Sequence, residues 1–381
     1  MILFIADKVD GGGAENQMLE ELAIQSKYYK ILLITKAQPK NETILFLEKY
    51  NIQFLGSIDN NLPVSFVNKY NISLIHAHNI WDLKTQFYIK EINIKPIVMT
   101  IHDYRILCPT GWKIQPNENV ECLQRSEVFC QKAECFQKKY TDNTNASNQW
   151  FSQYQWLKQN INGYAIVNKH LLQRMMEDNF QNLHNINYPL SKYSNFSNNQ
   201  RQKRVAYAGI IAEHKGILRL INTIKLLQQI DSNIEFLIIG TGNLESMVNT
   251  ELSCYPNVFF KKELTIEEIY SLFSSCSVVY LPSKWLENFN LIARYARIVG
   301  TPILVPKISG FMQRLNKGIS EFYIPTEIEN DAFQIKNMVD KVMNLQKGSI
   351  EDRNDEIEQS SVSIFLKQIQ NLYKSVGVNF N

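Results

Sequence analysis

The chain has 381 residues, 45% of them hydrophobic and 20% charged, with a formal net charge of +3. That length exceeds one ordinary core, so two domains are expected, and the composition is that of a soluble globular protein. So small a positive excess, with no long basic run, argues against a nucleic-acid partner, and six cysteines in such a chain do not make a secreted disulfide scaffold.

The opening MILFIADKVDGGG holds about five apolar residues and no basic n-region, so it reads as a buried first strand and not as a signal peptide. Short apolar runs then alternate with helical patterns, which predicts parallel α/β architecture. In the first half the predicted strands are Ile2–Ala6, Ile31–Thr35, Ile52–Leu55, Ser73–His76, Ile97–Ile101 and Tyr164–Val167. Between Thr110 and Asn160 the alternation fails, and a loop of that length is expected to be functional or to carry its own structure. The polar, Asn/Ser-rich stretch at 190–203 has no apolar periodicity and is the predicted linker between a first domain, 1–189, and a second, 204–360. The second series of predicted strands is Val205–Ala208, Phe236–Ile239, Val258–Phe260, Val278–Leu281, Ile303–Val305 and Phe322–Ile324. A final helix over Ser361–Ser375 closes the chain. No segment approaches the roughly 18 apolar residues that span a bilayer, so the expected location is the cytoplasm.

Several constellations can carry chemistry. Asp10-Gly11-Gly12-Gly13-Ala14-Glu15 follows the first strand, where glycines let backbone approach a phosphate or sugar and the next helix offers its N-terminus. The spacing is not GxGxxG, which argues against a nicotinamide or flavin, and a plain βα turn explains it equally well. His102-Asp103 ends the Ile97–Ile101 run, and His76 and His78 end the run before; strand-end histidines are more often packed than catalytic, and His76 and His78 are read as structural. Gly209-Ile-Ile-Ala-Glu-His-Lys215-Gly216 follows the first strand of the second half, with Lys215 placed for a diphosphate at a helix start. Gly240-Thr241-Gly242 is either a nucleotide-lining turn or a simple βα turn.

The stretch Val278–Ile303 is a predicted βαβ unit: strand, a loop bearing Glu287, a helix over Phe289–Val299, the Gly300 stop, and the next strand. Parallel sheets bind ligands at the carboxyl edge where Glu287 then lies. Cys108, Cys122, Cys130 and Cys135 are spaced C-x13-C-x7-C-x4-C, which suits either a structural zinc or buried thiols, without the paired CxxC of the stronger zinc signatures. Trp150, Phe151, Tyr154 and Trp156, near Lys138, Lys139 and Lys158, form an aromatic and basic cluster that either packs into the domain or rests on anionic lipid as a peripheral membrane contact.

In order and spacing, the Gly-Gly-x-Glu loop, TIHDYRILCPTG, Lys215-Gly216, Gly240-x-Gly242 and Glu287-x-Phe289 with Gly-Thr-Pro resemble the retaining glycosyltransferases of family 4. The resemblance implies a GT-B fold, with two Rossmann-like domains facing each other across a cleft and the final helix, 361–381, crossing back onto the first domain. It implies transfer of a hexose-type sugar from a UDP- or GDP-sugar to a hydroxyl of a glycan or lipid-linked acceptor, with no cofactor required, in building a surface polysaccharide. His102 and Glu287 would hold the donor sugar, Asp103 would orient the sugar or position the acceptor, and Lys215 would meet the leaving diphosphate. Gly12, Gly13, Gly209, Gly240, Gly242, Phe289, Asn290, Leu291, Arg294 and Tyr295 would line the donor pocket. Three positions depart from the family pattern: Ile210 stands for an arginine, Asn290 for a glycine, and Tyr295 for the second glutamate of E-x7-E. Arg294 is the candidate replacement cation. Two rival readings stay open: a catalytically weak or inactive GT-B protein that binds a glycan or partner, and a nucleotide-sugar epimerase.

Overall fold

A computed structural model describes the chain except residues 116–120, 125–129, 131–134, 136–145, 190–199, 289, 308–319, 324–327, 345–360 and 380–381. The chain divides into two compact units. One comprises Met1–Trp112, Leu123–Ser191 and Gln359–Asn381; the other comprises Lys113–Cys122 and Lys192–Glu358. The short segment Lys113–Cys122 lies within the first domain by sequence position but groups with the second unit, where Ile114 and Glu121 form an isolated antiparallel bridge. Most of the predicted linker falls outside the described residues.

The first unit is built on a seven-stranded sheet: β1 (Ile2–Ala6), β2 (Ile31–Thr35), β3 (Gln53–Ser57), β4 (Leu74–His78), β5 (Ile97–Ile101), β6 (Gly163–Ile166) and β7 (Leu183–Asn185). Their order is β3-β2-β1-β4-β5-β6-β7, and every pairing is parallel. β1, β2, β4 and β5 are buried at every position because helices cover both faces of a parallel sheet; β1 accordingly reads as an unbroken apolar run, whereas β4 carries His76 and His78 into the interior. β7 escaped prediction because its residues, Leu-His-Asn, are only half-buried at the sheet edge and carry no apolar run.

The C-terminal helix Val362–Ser375 belongs to this first unit and packs on β6 and β7. Ser361 caps it by accepting from the Ile364 N–H at 3.3 Å, and Phe365, Ile369, Leu372 and Tyr373 form its buried stripe at helical spacing. The irregular stretch predicted at Thr110–Asn160 ends in a helix of its own, Ala146–Asn160. Its aromatic face turns inward: Trp150 and Tyr154 are buried with their rings stacked at 5.3 Å, and the Trp150 indole N–H donates to the Arg105 carbonyl at 3.0 Å. Lys158 lies over the Tyr154 and Phe180 rings and donates to the Asp178 carbonyl at 2.7 Å. Lys138 and Lys139 lie outside the described residues. Among the described residues no helix is long and apolar enough to cross a membrane.

The second unit carries a six-stranded parallel sheet: β8 (Arg204–Ala208), β9 (Glu235–Ile239), β10 (Val258–Lys261), β11 (Val278–Tyr280), β12 (Ile303–Pro306) and β13 (Glu321–Tyr323). The order is β10-β9-β8-β11-β12-β13. Its core joins Ile217, Leu220, Ile224 and Leu227 of the Ile217–Ile230 helix to Ile335, Met338 and Val339 of the Ile328–Asn344 helix, over Phe236 and Tyr280 of the sheet. Each sheet therefore reverses its winding once, at β1/β4 in the first unit and at β8/β11 in the second, and such switch points open a crevice at the carboxyl ends of the strands.

Candidate active site

At the β8/β11 switch point the loop after β8 brings Lys215, and the loop after β11 brings Glu287. The Lys215 ammonium donates to Glu287 Oε1 at 2.8 Å, and Ser283 Oγ donates to the same oxygen at 2.6 Å. Glu287 is 4% exposed. Burial alone would raise its pKa, but the Lys215 charge and the hydrogen bonds from Lys215 and Ser283 outweigh it and hold the carboxyl below the usual range. The Lys215 ammonium also stands 4.7 Å over the Trp285 ring. The His214 ring meets Trp285 edge-on at 4.9 Å, and burial followed by the Lys215 charge lowers the pKa of His214.

Gly216 makes this convergence possible. It sits at φ +74°, and an added Cβ would lie 1.7 Å from the Pro282 carbonyl oxygen. Only glycine permits both the left-handed backbone and the approach of the two loops, and the Lys284 N–H then donates to the His214 carbonyl at 2.9 Å. Gly209, Gly240 and Gly242 serve a similar end, since Cβ atoms at Gly240 and Gly242 would lie 2.0 and 2.3 Å from the carbonyls of Gly209 and Ile211. Two βα turns are thereby laminated, with the Ile211 N–H donating to the Thr241 carbonyl at 2.9 Å.

The remaining donor-pocket expectations divide. Asn290 is the N-cap of the Leu291–Ile298 helix, its side-chain oxygen accepting from the Ala293 N–H at 3.0 Å. That places a capping amide where the family pattern has glycine. Leu291 opens the helix, half-buried. Arg294 and Tyr295 are buried, and the Tyr295 ring meets Tyr270 edge-on at 5.1 Å. Ile210, by contrast, is 51% exposed, an apolar side chain at the lip of the β8 loop. Phe289 lies outside the described residues. Ser283, Trp285 and His214 were missed by sequence reasoning. A serine four residues before the glutamate and an indole between them were the available signals.

In the first unit, the loop after β1 carries Gly12 and Gly13, both exposed at the start of the Gly13–Gln25 helix. Glu15 folds back and accepts from the Gly12 N–H at 2.9 Å, closing the loop. Asp7 joins this loop to the one after β4: its carboxylate accepts from the Trp81 N–H at 2.7 Å, the Asp82 N–H at 2.9 Å and the Thr85 hydroxyl at 2.7 Å. Burial is the main influence on Asp7 and raises its pKa.

His102 follows β5 and is 8% exposed. Its neighbour Asp103 is committed elsewhere: the carboxylate takes the Arg105 guanidinium at 2.7 to 3.0 Å and the Arg105 N–H at 2.8 Å. Burial would raise the Asp103 pKa, and the Arg105 charge and hydrogen bonds bring it below the usual value. Arg105 itself lies 5.4 Å over the Trp81 ring. His102 instead meets His78, with Nε2 3.0 Å from His78 Nδ1. Burial lowers the His102 pKa to about 4 and that of His76 to about 3. Behind this pair lies Glu21, fully buried, 3.6 Å from His76 and 3.7 Å from His78.

Cys108, Cys122, Cys130 and Cys135 are all buried thiols outside any disulfide, and Cys108 Sγ lies 3.1 Å from Thr110 Oγ1. Among the described residues, Glu21, His76 and His78 form a group of possible metal ligands whose donor atoms all lie within 4.8 Å of one another.

With this geometry established, the chain can be set beside known proteins. Residues 192–360 match the family Glycosyl transferases group 1. Over 98% of the chain and 99% of the other, the structure is similar to Anabaena Alr3699/HepE in complex with UDP and glucose, with a TM-score of 0.69 and 15% identity. It is likewise similar to TarM, with a TM-score of 0.70 and 12% identity over 98% of each chain. In sequence it is 23% identical to an uncharacterized 41.2 kDa protein in the cps region of Klebsiella pneumoniae, over 88% of each chain. It is also 23% identical, over 37% of this chain and 36% of the other, to the capsular polysaccharide biosynthesis glycosyltransferase CapM of Staphylococcus aureus. The fold is GT-B, and residues 192–360 match a glycosyl transferases group 1 domain, which supports a GT-B glycosyltransferase.

Proposed function

We propose that this protein is a retaining glycosyltransferase of family 4 type. It would move a hexose-type sugar from a UDP- or GDP-sugar to a hydroxyl of a glycan or lipid-linked acceptor in surface polysaccharide biosynthesis, working in the cytoplasm. The observation that carries the reading is the Lys215–Glu287 pair at the β8/β11 switch point, 2.8 Å apart beside Ser283 and Trp285. Support also comes from relatives: HepE was crystallised with UDP and glucose and with UDP-glucose, and CapM is a capsular polysaccharide glycosyltransferase.

In this scheme Lys215 and the N-terminal N–H groups of the Leu291–Ile298 helix stabilise the departing diphosphate, and no metal cation is called for at that step. Glu287 does two things: it holds the ammonium in place and offers its second oxygen to a donor-sugar hydroxyl. His102 contacts the transferred sugar. The acceptor attacks from the face the diphosphate leaves, so positioning supplies much of the rate.

A second reading, a GT-B protein of weak or no turnover, is favoured by two observations. Ile210 is exposed where the family carries arginine, and Tyr295 packs against Tyr270 where the family carries a ribose-binding glutamate. The deciding experiment follows nucleotide release from UDP- and GDP-sugars with and without a glycan or polyprenyl-linked acceptor, and reads the product's anomeric configuration by NMR. Acceptor-dependent release with retention supports the transferase. Nucleotide binding without release supports the second reading, and conversion of the donor without acceptor supports an epimerase.

A further inference from the structure

The loop after β1 is exposed at Gly11, Gly12 and Gly13, yet both of its flanks are fixed. Asp7 is the first residue past the strand. One oxygen of its carboxylate accepts from the Trp81 and Asp82 N–H groups and the other from the Thr85 hydroxyl, all in the segment after β4. Its carbonyl accepts from the Ala37 N–H, in the loop after β2, at 3.2 Å. Val9, between the two aspartates, is 1% exposed and anchors the segment in the core. On the glycine side, the Asp10 carboxylate accepts from the Lys40 N–H at 2.9 Å and from the Thr43 hydroxyl, at the N-terminus of the Asn41–Lys49 helix. An anionic acceptor is favoured there by the positive end of the helix. Beyond the glycines, Glu15 takes the Gly12 N–H.

The neighbouring loops are tied to one another in turn. Lys36, after β2, lies 3.4 Å from Asp59 and 3.5 Å from Asp82, and Lys84 donates to Asp59 at 3.0 Å. Exposed ion pairs of this kind hold little by themselves. The Asp7 bonds are better shielded, since Thr85 is 0% exposed, and they fix the glycine loop to the segment after β4. Three successive glycines without such anchors would sample many backbone states, because none has a Cβ to restrict it.

We propose that Asp7 and Asp10 are positioning residues that hold the glycine loop in one shape before any ligand arrives. A nucleotide-sugar then meets backbone that is already ordered, and its binding is spared that cost. The link to the donor rests on the reading of Gly12 and Gly13 as lining the donor pocket; the ordering of the loop does not.

The test uses the full chain with 15N-labelled glycine. In the wild type the Gly11, Gly12 and Gly13 amides should have the order parameters of rigid backbone, about 0.85. In Asp10→Ala they should fall below about 0.6, while Gly240 and Gly242 of the second unit keep theirs. Asp10→Asn and Asp7→Asn should leave the loop ordered. Their amide oxygen still takes the N–H groups, and their amide nitrogen can donate to the Thr43 or Thr85 hydroxyl. In turnover, Asp10→Ala should raise the donor KM about tenfold, the cost of ordering about one residue, with kcat nearly unchanged, and Asp10→Asn should restore it. Asp7→Ala should loosen the loop likewise. If it does not fold, Thr85→Val, which takes one hydrogen from the same carboxylate, gives the Asp7 reading through a smaller rise in KM. A loop already flexible in the wild type, order parameters unchanged in Asp10→Ala, or Asp10→Asn behaving like Asp10→Ala would overturn the proposal. So would a loosened loop with an unchanged donor KM. If the wild type turns over no nucleotide-sugar, the transferase reading fails, and the order parameters alone still decide whether the aspartates hold the loop.

Discussion

Lys215 and Glu287 lie 72 residues apart in sequence, yet their charged groups meet at 2.8 Å because two loops of one sheet edge are pressed together at Gly216. The side chains are 18% and 5% exposed, so the pair is shielded from solvent. Removing one partner of such a pair strands the other charge.

Lys215→Met should therefore destabilise the second unit by about 3 kcal/mol, near the lower end for broken buried pairs. Glu287→Gln should cost less, because the lysine reaches water more easily than the carboxylate does. The pair also sets a pH dependence. Glu287 has its pKa lowered on folding, so its stabilisation is present above the unfolded value of 4.5 and is lost as pH falls through the lower folded value. Urea unfolding of both variants at neutral and acid pH reads these differences.

Gly216→Ala adds a Cβ 1.7 Å from the Pro282 oxygen at a residue whose φ is +74°. Strain and clash together should cost several kcal/mol or push the Pro282–Glu287 loop away. The expected result is a lowered Tm and donor binding weakened as severely as in Lys215→Ala, checked by thermal unfolding and calorimetry.

Asn290→Gly restores the glycine of the family pattern at a capping position. Glycine is nearly as good an N-cap as asparagine, so stability should change by only a few tenths of a kcal/mol. Asn290→Ala should cost about 1 kcal/mol, since the Ala293 N–H loses its acceptor. If the helix N-terminus takes the diphosphate, Asn290→Gly should bind nucleotide at least as tightly as wild type, and calorimetry would show it.

Glu21 gives the opposite pH signature to Glu287. Its folded pKa of about 8 lies above the unfolded 4.5, so between these values unfolding releases a proton. The Glu21 contribution then falls as pH rises through that window, with a slope approaching about 1.4 kcal/mol per pH unit, and levels off above pH 8. The buried histidines act in the other sense at lower pH. His76 and His102 have folded values of about 3 and 4, so unfolding takes up protons below pH 6.5 and stability is lost on acidification. Glu21→Gln should remove the fall between pH 4.5 and 8, where urea unfolding of wild type and variant gives the comparison.

The architecture was legible because parallel strands buried on both faces are mostly apolar along their length. Ile2–Ala6, Ile31–Thr35 and Ile97–Ile101 were bounded correctly to the residue for that reason. β7 was not, since an edge strand of Leu-His-Asn has no periodic signal. At the candidate site, Lys215 and Glu287 stood out because their motifs resemble the family pattern in order and spacing, whereas the meeting of their two loops depends on the sheet order, in which β8 lies beside β11. The roles of their neighbours did not stand out, since Ser283 and Trp285 gain significance only from where the chain folds. Asp103 shows the same limit. Adjacency to His102 suggested a shared task, but an arginine two residues on captures the carboxylate. Glu21 was hidden most deeply. A glutamate within a helix ordinarily faces water, and only the Gln17, Glu21, Gln25 spacing on the buried face hinted at a polar interior.

A working donor site around Lys215 and Glu287 should bind a nucleotide through both residues. Calorimetric titration of UDP, GDP, ADP and their common sugar conjugates into the wild type, Lys215→Ala and Glu287→Ala tests it most directly. One nucleotide is expected to bind in the micromolar range, and both substitutions should weaken it. No binding by any nucleotide, or binding that neither substitution changes, would contradict it.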